Sequence, residues 1–156
     1  MMSIQERLKE LNIELEPVGE PKFSYVPVNQ VGNLLYTSGH DCRKNGELIL
    51  KGKLGAELTI EQGQEAARRC IVNILSSLQA HLGSLDRVKK VVKMLGFIQS
   101  APGFKDQPYV LNGASDLLIE VFGEKGKHTR SAIGTSELPF DTPVEVEIIV
   151  EIELSR

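Results

Sequence analysis

The amino-acid sequence predicts one α/β domain of the α+β type, in which a mixed β-sheet carries two main helices on one face. Its 156 residues and 41% hydrophobic content suit a single domain with an ordinary core. Extended segments rich in β-branched residues alternate with two segments whose apolar residues recur at helical spacing. The predicted element order, after a short N-terminal helix, is therefore β-β-β-α-β-α-β-β. Residues 1–156 are expected to form this one domain.

The N-terminal third is predicted to form a short helix and then a β meander. Ser3 and Glu6 have the spacing of a capping box, and prolines and a glycine in the linker up to residue 21 end the helix. Alternating and β-branched residues then indicate three strands. These strands are expected at 24–30, at 33–38 and around Glu47–Leu50.

Two longer helices follow from their start and stop signals. Thr59 and Gln62 form a second capping box, and the helical pattern behind them continues to Gly83. Pro108 marks the start of another helix, which Gly123 closes.

The strands between and after these helices differ in pattern. Val88–Gln99 has apolar residues at both parities, which predicts a strand covered on both sides. In the last strand one parity is apolar from Val144 to Leu154, whereas the other is acidic apart from Ile149. We interpret most of these glutamates as a solvated face and Ile149 as a subunit contact. Two helices cover only one face of a sheet, so the other face meets water or another chain.

Net charge, apolar runs and the spacing of cysteines and histidines argue against several classes of function. A net charge of -3 gives no general attraction to nucleic acid. The N-terminus is too polar for a signal peptide and no apolar run is long enough to cross a bilayer, so a cytoplasmic protein without membrane contact is expected. Cys42 and Cys70 fit a reduced compartment. His40, His81 and His128 lack metal-ligand spacing, so no metal site is expected.

Arg130 and Glu145 are the candidate catalytic residues, on two consecutive predicted strands joined by a turn. An arginine fork binds a carboxylate through two parallel hydrogen bonds, and a glutamate can accept a proton from water. Together they suit the binding and hydrolysis of a small acid. In an arbitrary protein, Arg130 would more simply pair with a surface glutamate.

The spacing of this segment is similar to the C-terminal signature of the RidA family, also called YjgF or endoribonuclease L-PSP. The signature runs from Arg130–Ser131 through Leu138–Pro139 to Val144–Glu145. The other matching positions are Tyr25, Val31–Leu35, Thr37–Gly39 and Asn112. The resemblance covers about residues 22–153 and leaves the N-terminal helix and linker, 1–21, outside the family-like core.

The resemblance implies a chorismate-mutase-like fold, assembled as a homotrimer with three sites in the clefts between subunits. It implies that Arg130 grips the carboxylate of a 2-imino acid and that Glu145 orients the attacking water. The substrate-binding positions that it implies are Arg130, Tyr25, Ile133, Asn112 and Ser38. No metal or organic cofactor is required. From the residues alone, Tyr25 also fits a half-buried strand aromatic, and Asn112 fits a helix residue that faces solvent or forms local hydrogen bonds.

Three function classes remain open. The first is cofactor-free hydrolytic deamination of reactive 2-imino or enamino acids to 2-keto acids and ammonia. The second is a non-enzymatic trimer that binds a small carboxylate or keto acid at the same clefts. The third is an endoribonuclease, which ranks last because no basic patch or aromatic platform is evident. Ammonia release separates the first two.

The chain also departs from the family pattern. It has Phe23–Ser24 where members usually have Gly-Pro, and His40 where they usually have a glutamine. Ala132 replaces a frequent cysteine, and His128 stands where a proline or small residue is usual. These differences leave open the preferred imino acid, and whether Phe23–Ser24 and His40 abolish turnover.

Overall fold

The chain folds around a mixed sheet of five strands in the order β1-β2-β7-β5-β6. A computed structural model describes residues 2–20 and 22–154. The helices are α1 (Ile4–Glu10), α2 (Ile60–Leu82) and α3 (Gln107–Phe122). The strands are β1 (Val28–Val31), β2 (Leu34–Thr37), β3 (Arg43–Lys44), β4 (Glu47–Leu48), β5 (Val88–Gln99), β6 (Thr129–Thr135) and β7 (Val144–Ile152). Strands β5 and β6 are parallel, and the other pairs in the main sheet are antiparallel.

The predicted α+β architecture is confirmed, with two corrections in the N-terminal third. The strand expected at 24–30 begins only at Val28, because the preceding Pro27 has no N–H for a strand ladder. The strand expected around Glu47–Leu50 does not join the main sheet. Strands β3 and β4 instead form a separate hairpin, since Asn45 and Gly46 both have positive φ and make a tight turn.

The predicted helix caps are present. The Ser3 and Thr59 side chains each accept a hydrogen bond from the third residue of their helix, and that residue's side chain bonds back. The short helix α1 packs on α3, where Arg7 Nε donates to the Glu120 carbonyl over 2.8 Å. Leu8 is buried there. The N-terminal helix is thus an additional support for α3.

The core lies between the main sheet and the helices. Strand β7 alternates between buried and half-buried residues along its whole length, as its sequence predicts. Helices α2 and α3 approach each other so closely that a Cβ added to Gly113 would overlap the Gln64 carbonyl group. The buried side chains of β7 are Val144, Val146, Ile148, Val150 and Ile152.

The other side of the main sheet, here called the open face, carries no helix. The prediction that β5 is covered on both sides is therefore wrong for a single chain, because Lys93 is exposed while Leu95 and Phe97 are only half-buried there. Tyr36 of β2 is also exposed on this face. The other side chains that β6 and β7 place on the open face are Thr129, Ser131, Ile133, Thr135, Glu145, Glu147, Ile149 and Glu151. A face that mixes acidic and apolar residues suits contact with another chain.

Candidate functional site

Arg130 lies on the edge strand β6, on the side of the sheet that the helices cover. Its backbone pairs with Met94, which is fully buried beneath α3. The Arg130 side chain is held by two hydrogen bonds from its guanidinium. Nη1 donates to Ser115 Oγ over 3.0 Å, and Nη2 donates to the Pro108 carbonyl over 3.0 Å. Two turns of α3 thus fix the position of the cation.

No carboxylate neutralises Arg130 within residues 2–20 and 22–154. Arg7, Arg43, Arg68 and Arg69 each form an ion pair with an acidic side chain. The partners of Arg130 are instead a hydroxyl and a carbonyl, and those of Arg87 are carbonyls. A half-buried guanidinium whose charge is not balanced by an acid favours an anion beside it. This arrangement suits the binding of a small carboxylate.

Asn112 lies on the same side of the sheet as Arg130. Pro108, Asn112 and Ser115 follow one another at intervals of four and three residues, so they share one face of α3. Asn112 is half-buried there. The structure thus brings together two of the sequence-predicted residues, Arg130 and Asn112. It adds Ser115, which was not predicted, although its spacing of three residues from Asn112 is the signal that places it on the same helix face.

Glu145 lies on the open face, at the start of β7. Its backbone pairs with Phe97 of β5, and Phe97 pairs with Ile133 of β6, so the three residues form one row across the sheet. Adjacent strands are about 4.8 Å apart, which puts Ile133 roughly 10 Å from Glu145. Ile133 is 44% exposed on the edge strand.

A β-bulge brings the end of β2 against Glu145. Tyr36 pairs with Ile149 but His40 pairs with Val146, so the register shifts by one residue between these pairs. A Cβ added to Gly39 would lie 2.9 Å from Glu145 Cδ, which means that the carboxyl group packs directly on the glycine backbone. This role of Gly39 was not predicted from the sequence.

The pKa of Glu145 is raised above its usual value. Burial is the main cause, and the negative charges of Asp41 and Glu147 add to it. Within the described part of the chain, no lysine or arginine forms an ion pair with Glu145. A carboxyl group of this kind suits the task of accepting a proton from water.

Ser38 and Tyr25 lie near the end of β2. Ser38 Oγ donates to the Val26 carbonyl over 2.6 Å, so its hydroxyl hydrogen is already in use. Tyr25 stacks on Phe23 with the ring centroids 6.1 Å apart, and 54% of the tyrosine is exposed. It stands in an irregular segment before β1 and not within a strand. The alternative reading of Tyr25 as a half-buried strand aromatic is therefore wrong.

One chain does not place Arg130 and Glu145 in one cleft. The arginine is fixed against α3, whereas the glutamate occupies the open face together with Ile133. The sheet separates the two groups. A ligand that touches both side chains therefore needs a second chain to supply one of them.

His40, which stands at a family glutamine position, is half-buried between β7 and α2. Its Nδ1 donates to the Ser38 carbonyl over 2.7 Å, and its Nε2 lies 2.8 Å from Ser77 Oγ.

Both cysteines are buried as free thiols, and burial raises the pKa of Cys70 well above its ordinary value. Among residues 2–20 and 22–154, no three His, Cys, Asp or Glu side chains are close enough together to hold a metal ion. The same residues include no helix long and apolar enough to cross a membrane.

His40 is expected to make stability depend on pH. Burial lowers its pKa in the folded chain, although the bond to the Ser38 carbonyl and the charge of Asp41 oppose this. The unfolded chain then binds more protons than the folded chain just below the ordinary histidine value of about 6.5. Stability should fall as the pH drops from that value through the lower pKa of the folded state, and His40 should contribute no pH dependence above it.

Denaturant unfolding at a series of pH values from neutral to mildly acidic tests this prediction. Wild type should lose stability towards acid more steeply than a His40→Gln variant, whose side chain does not titrate. Equal slopes for the two proteins would show that another group controls the acid sensitivity.

Comparisons of sequence and structure with known proteins show which family this chain resembles. Residues 5–152 match a family model described as YjgF/chorismate-mutase-like, "putative endoribonuclease". Protein TCP17 of Trypanosoma cruzi is 45% identical over 146 residues, which are 93% of this chain and 91% of that protein. Protein Atu1372 of Agrobacterium tumefaciens, whose function is unknown, is 42% identical with a TM-score of 0.89, covering 97% of this chain and 93% of its own.

A Shewanella oneidensis protein that is also described as a "putative endoribonuclease" is 32% identical with a TM-score of 0.93, covering 97% of this chain and all of its own. Escherichia coli TdcF, solved with bound serine, shares the fold at 22% identity and a TM-score of 0.60, over 89% of this chain and 94% of its own. The chain therefore belongs to the YjgF/chorismate-mutase-like family, which confirms the RidA resemblance of its sequence.

Proposed function

We propose that the protein hydrolyses small 2-imino acids to 2-keto acids and ammonia, at sites between the chains of a homotrimer. The observation that carries this proposal is Arg130, a fixed cation without an acidic partner among the described residues. Such a group suits the carboxylate that every 2-imino acid carries. Because Glu145 lies on the opposite face of the sheet, each site takes Arg130 from one chain and Glu145 from its neighbour.

The proposed reaction needs no cofactor. Arg130 binds the substrate carboxylate and holds the imine carbon in place, while Glu145 of the neighbouring chain accepts a proton from a water molecule. The water oxygen bonds to the imine carbon and the imine nitrogen takes up the proton. The hydroxyl group formed in this way then gives up its proton and the amino nitrogen takes one up, so the carbon–nitrogen bond breaks, ammonia leaves and the carbonyl group of the 2-keto acid forms. The Tyr25 hydroxyl and backbone groups near Ile133 are proposed to polarise the imine, with Ser38 and Asn112 as further substrate contacts.

A second candidate is a binding protein for small carboxylates. The serine bound to TdcF, which shares the fold, favours it, because serine carries a carboxylate. This candidate uses the same Arg130 but needs no proton transfer by Glu145. The two candidates therefore differ in turnover and not in ligand class.

Ammonia release decides between them. The substrates 2-iminopropanoate and 2-iminobutanoate are generated in place by an amino-acid oxidase or a dehydratase, and ammonia or semicarbazone formation is followed. Faster hydrolysis with the protein supports the deaminase. Binding of 2-oxobutanoate without any acceleration supports the binding protein, and cleavage of single-stranded RNA without either supports the endoribonuclease.

The homotrimer itself is a testable prediction. The open face exposes Tyr36 and leaves Leu95 and Phe97 half-buried, so it is expected to be covered by neighbouring chains. Light scattering should give about 52 kDa, three times the 17.2 kDa of one chain. A monomer at micromolar concentration would remove the shared site.

The pH dependence of turnover is expected to follow Glu145. The ionised carboxylate is the proton acceptor, so activity should be lost as the pH falls through the raised pKa of Glu145. Asp41 is one of the charges that raise this pKa, and Asp41→Asn removes that charge without changing the side-chain shape. The acidic limb of kcat/KM against pH should therefore move to lower pH in Asp41→Asn. If the acidic limb stays at the same pH in Asp41→Asn, a group other than Glu145 controls the loss of activity.

A further inference from the structure

A chain of hydrogen bonds leads away from Arg130 on the side of α3. Arg130 Nη1 donates to Ser115 Oγ, which lies 2.9 Å from His128 Nε2. His128 Nδ1 lies 2.6 Å from the Gly126 carbonyl oxygen. In the sequence, His128 stands where the family usually has a proline or small residue, two residues before Arg130 and on the same face of an extended strand. In the structure, its ring accepts the hydrogen bond of Ser115 and so stabilises the residue that holds Arg130.

The chemistry of the groups determines the direction of each bond. A carbonyl oxygen only accepts hydrogen bonds, so His128 Nδ1 carries a proton and donates to Gly126. In the neutral ring Nε2 is then an acceptor, and it receives the Ser115 hydroxyl hydrogen. The Ser115 oxygen in turn accepts from Arg130. Ser115 and His128 thus each donate one bond and accept one, and such chains strengthen each bond in them.

Ser115 is suited to hold the arginine firmly. It is only 8% exposed, and its other polar neighbour is the sulfur of Met94 at 3.8 Å, a weak acceptor. The guanidinium of Arg130 has five N–H donors, of which Ser115 and Pro108 take two. Three donors remain, enough for two parallel bonds to a carboxylate. A side chain already held in its binding position loses less conformational entropy when the ligand arrives.

We infer that Ser115 and His128 are positioning residues that orient the Arg130 guanidinium for the carboxylate of a small 2-imino or 2-keto acid. The inference rests on the proposed function for the class of ligand. It does not require that the protein catalyse a reaction. We expect Ser115 to affect ligand binding only through its hydrogen bond to Arg130. Ser115 touches Arg130 and His128, and it has no assigned contact with the ligand.

Calorimetric titration of the whole oligomer with 2-oxobutanoate tests this without turnover. Ser115→Ala should weaken binding roughly threefold to tenfold, the range for one lost hydrogen bond. Ser115→Thr keeps the hydroxyl and should stay within about twofold of wild type. Ser76→Ala is the matched control, because Ser76 is also a buried helix serine but bonds only within α2, to the Val72 carbonyl. It should bind as wild type does.

A double-mutant cycle separates positioning from a general loss of packing. In an Arg130→Lys protein the fork that Ser115 orients is absent, so adding Ser115→Ala should have almost no further effect on the Kd. Additive effects, or wild-type affinity in Ser115→Ala, would overturn the inference. A wild type that does not bind 2-oxobutanoate would overturn it as well. If binding follows the expected pattern but no imine is hydrolysed, only the deaminase proposal fails.

Discussion

An Arg130→Lys variant is expected to lose about tenfold to a hundredfold of the wild-type kcat/KM for 2-iminobutanoate. Lysine keeps the positive charge but cannot make two parallel bonds, and a bidentate charged contact is worth about 1.5 to 3 kcal/mol. Most of this loss should appear in KM, whereas Glu145→Gln should mainly lower kcat because it removes the proton acceptor. Both variants should assemble as wild type does. An Arg130→Lys protein as fast as wild type would show that another residue binds the carboxylate.

Mixing these two variants tests whether neighbouring chains share each site. In a randomly assembled one-to-one mixture, about a quarter of the sites pair a native Arg130 with a native Glu145 if adjacent chains supply them. The mixture should then recover about a quarter of the wild-type activity at low substrate concentration. If the mixture is no more active than the mean of the two variants, the site is not divided between chains.

A matched control uses the double variant Arg130→Lys/Glu145→Gln, mixed one-to-one with wild type. Sites divided between chains leave about a quarter of the activity, whereas sites supplied by one chain leave about half. The two mixtures together thus distinguish a divided site from an inactive assembly.

Gly113→Ala is expected to destabilise the fold by about 3 kcal/mol, near the upper end for overpacking. Helix propensity alone predicts the opposite sign, since alanine is better than glycine in a helix by about 1 kcal/mol. The structure reverses this, because the added Cβ would overlap the backbone of Gln64 in α2, and backbone cannot move aside as a side chain can.

Denaturant unfolding measures this difference. Gly19→Ala is the control, since a Cβ there meets no atom within 4 Å and should change stability by less than about 0.5 kcal/mol. Equal stability of Gly113→Ala and wild type would show that α2 and α3 separate easily.

The elements that the sequence predicted best are those determined by local chemistry. The capping residues Ser3 and Thr59 start their helices through hydrogen bonds within a few residues of the chain. Likewise, the alternation along Val144–Ile152 determines which side chains enter the core. The errors lie where pairing depends on distant segments: the hairpin that replaced the third sheet strand, and the uncovered side of β5.

By itself, the sequence determined the α+β class, the family and the identity of the candidate residues, because these depend on residue type and spacing along the chain. Only the tertiary structure decided how those residues are grouped. The alternation of side chains in β6 and β7 places Arg130 on one face of the sheet and Glu145 on the other, while α3 brings Ser115 to the arginine and a bulge brings Gly39 to the glutamate. Which face of a sheet the helices cover follows from packing between segments far apart in the chain, and spacing along the sequence does not determine it.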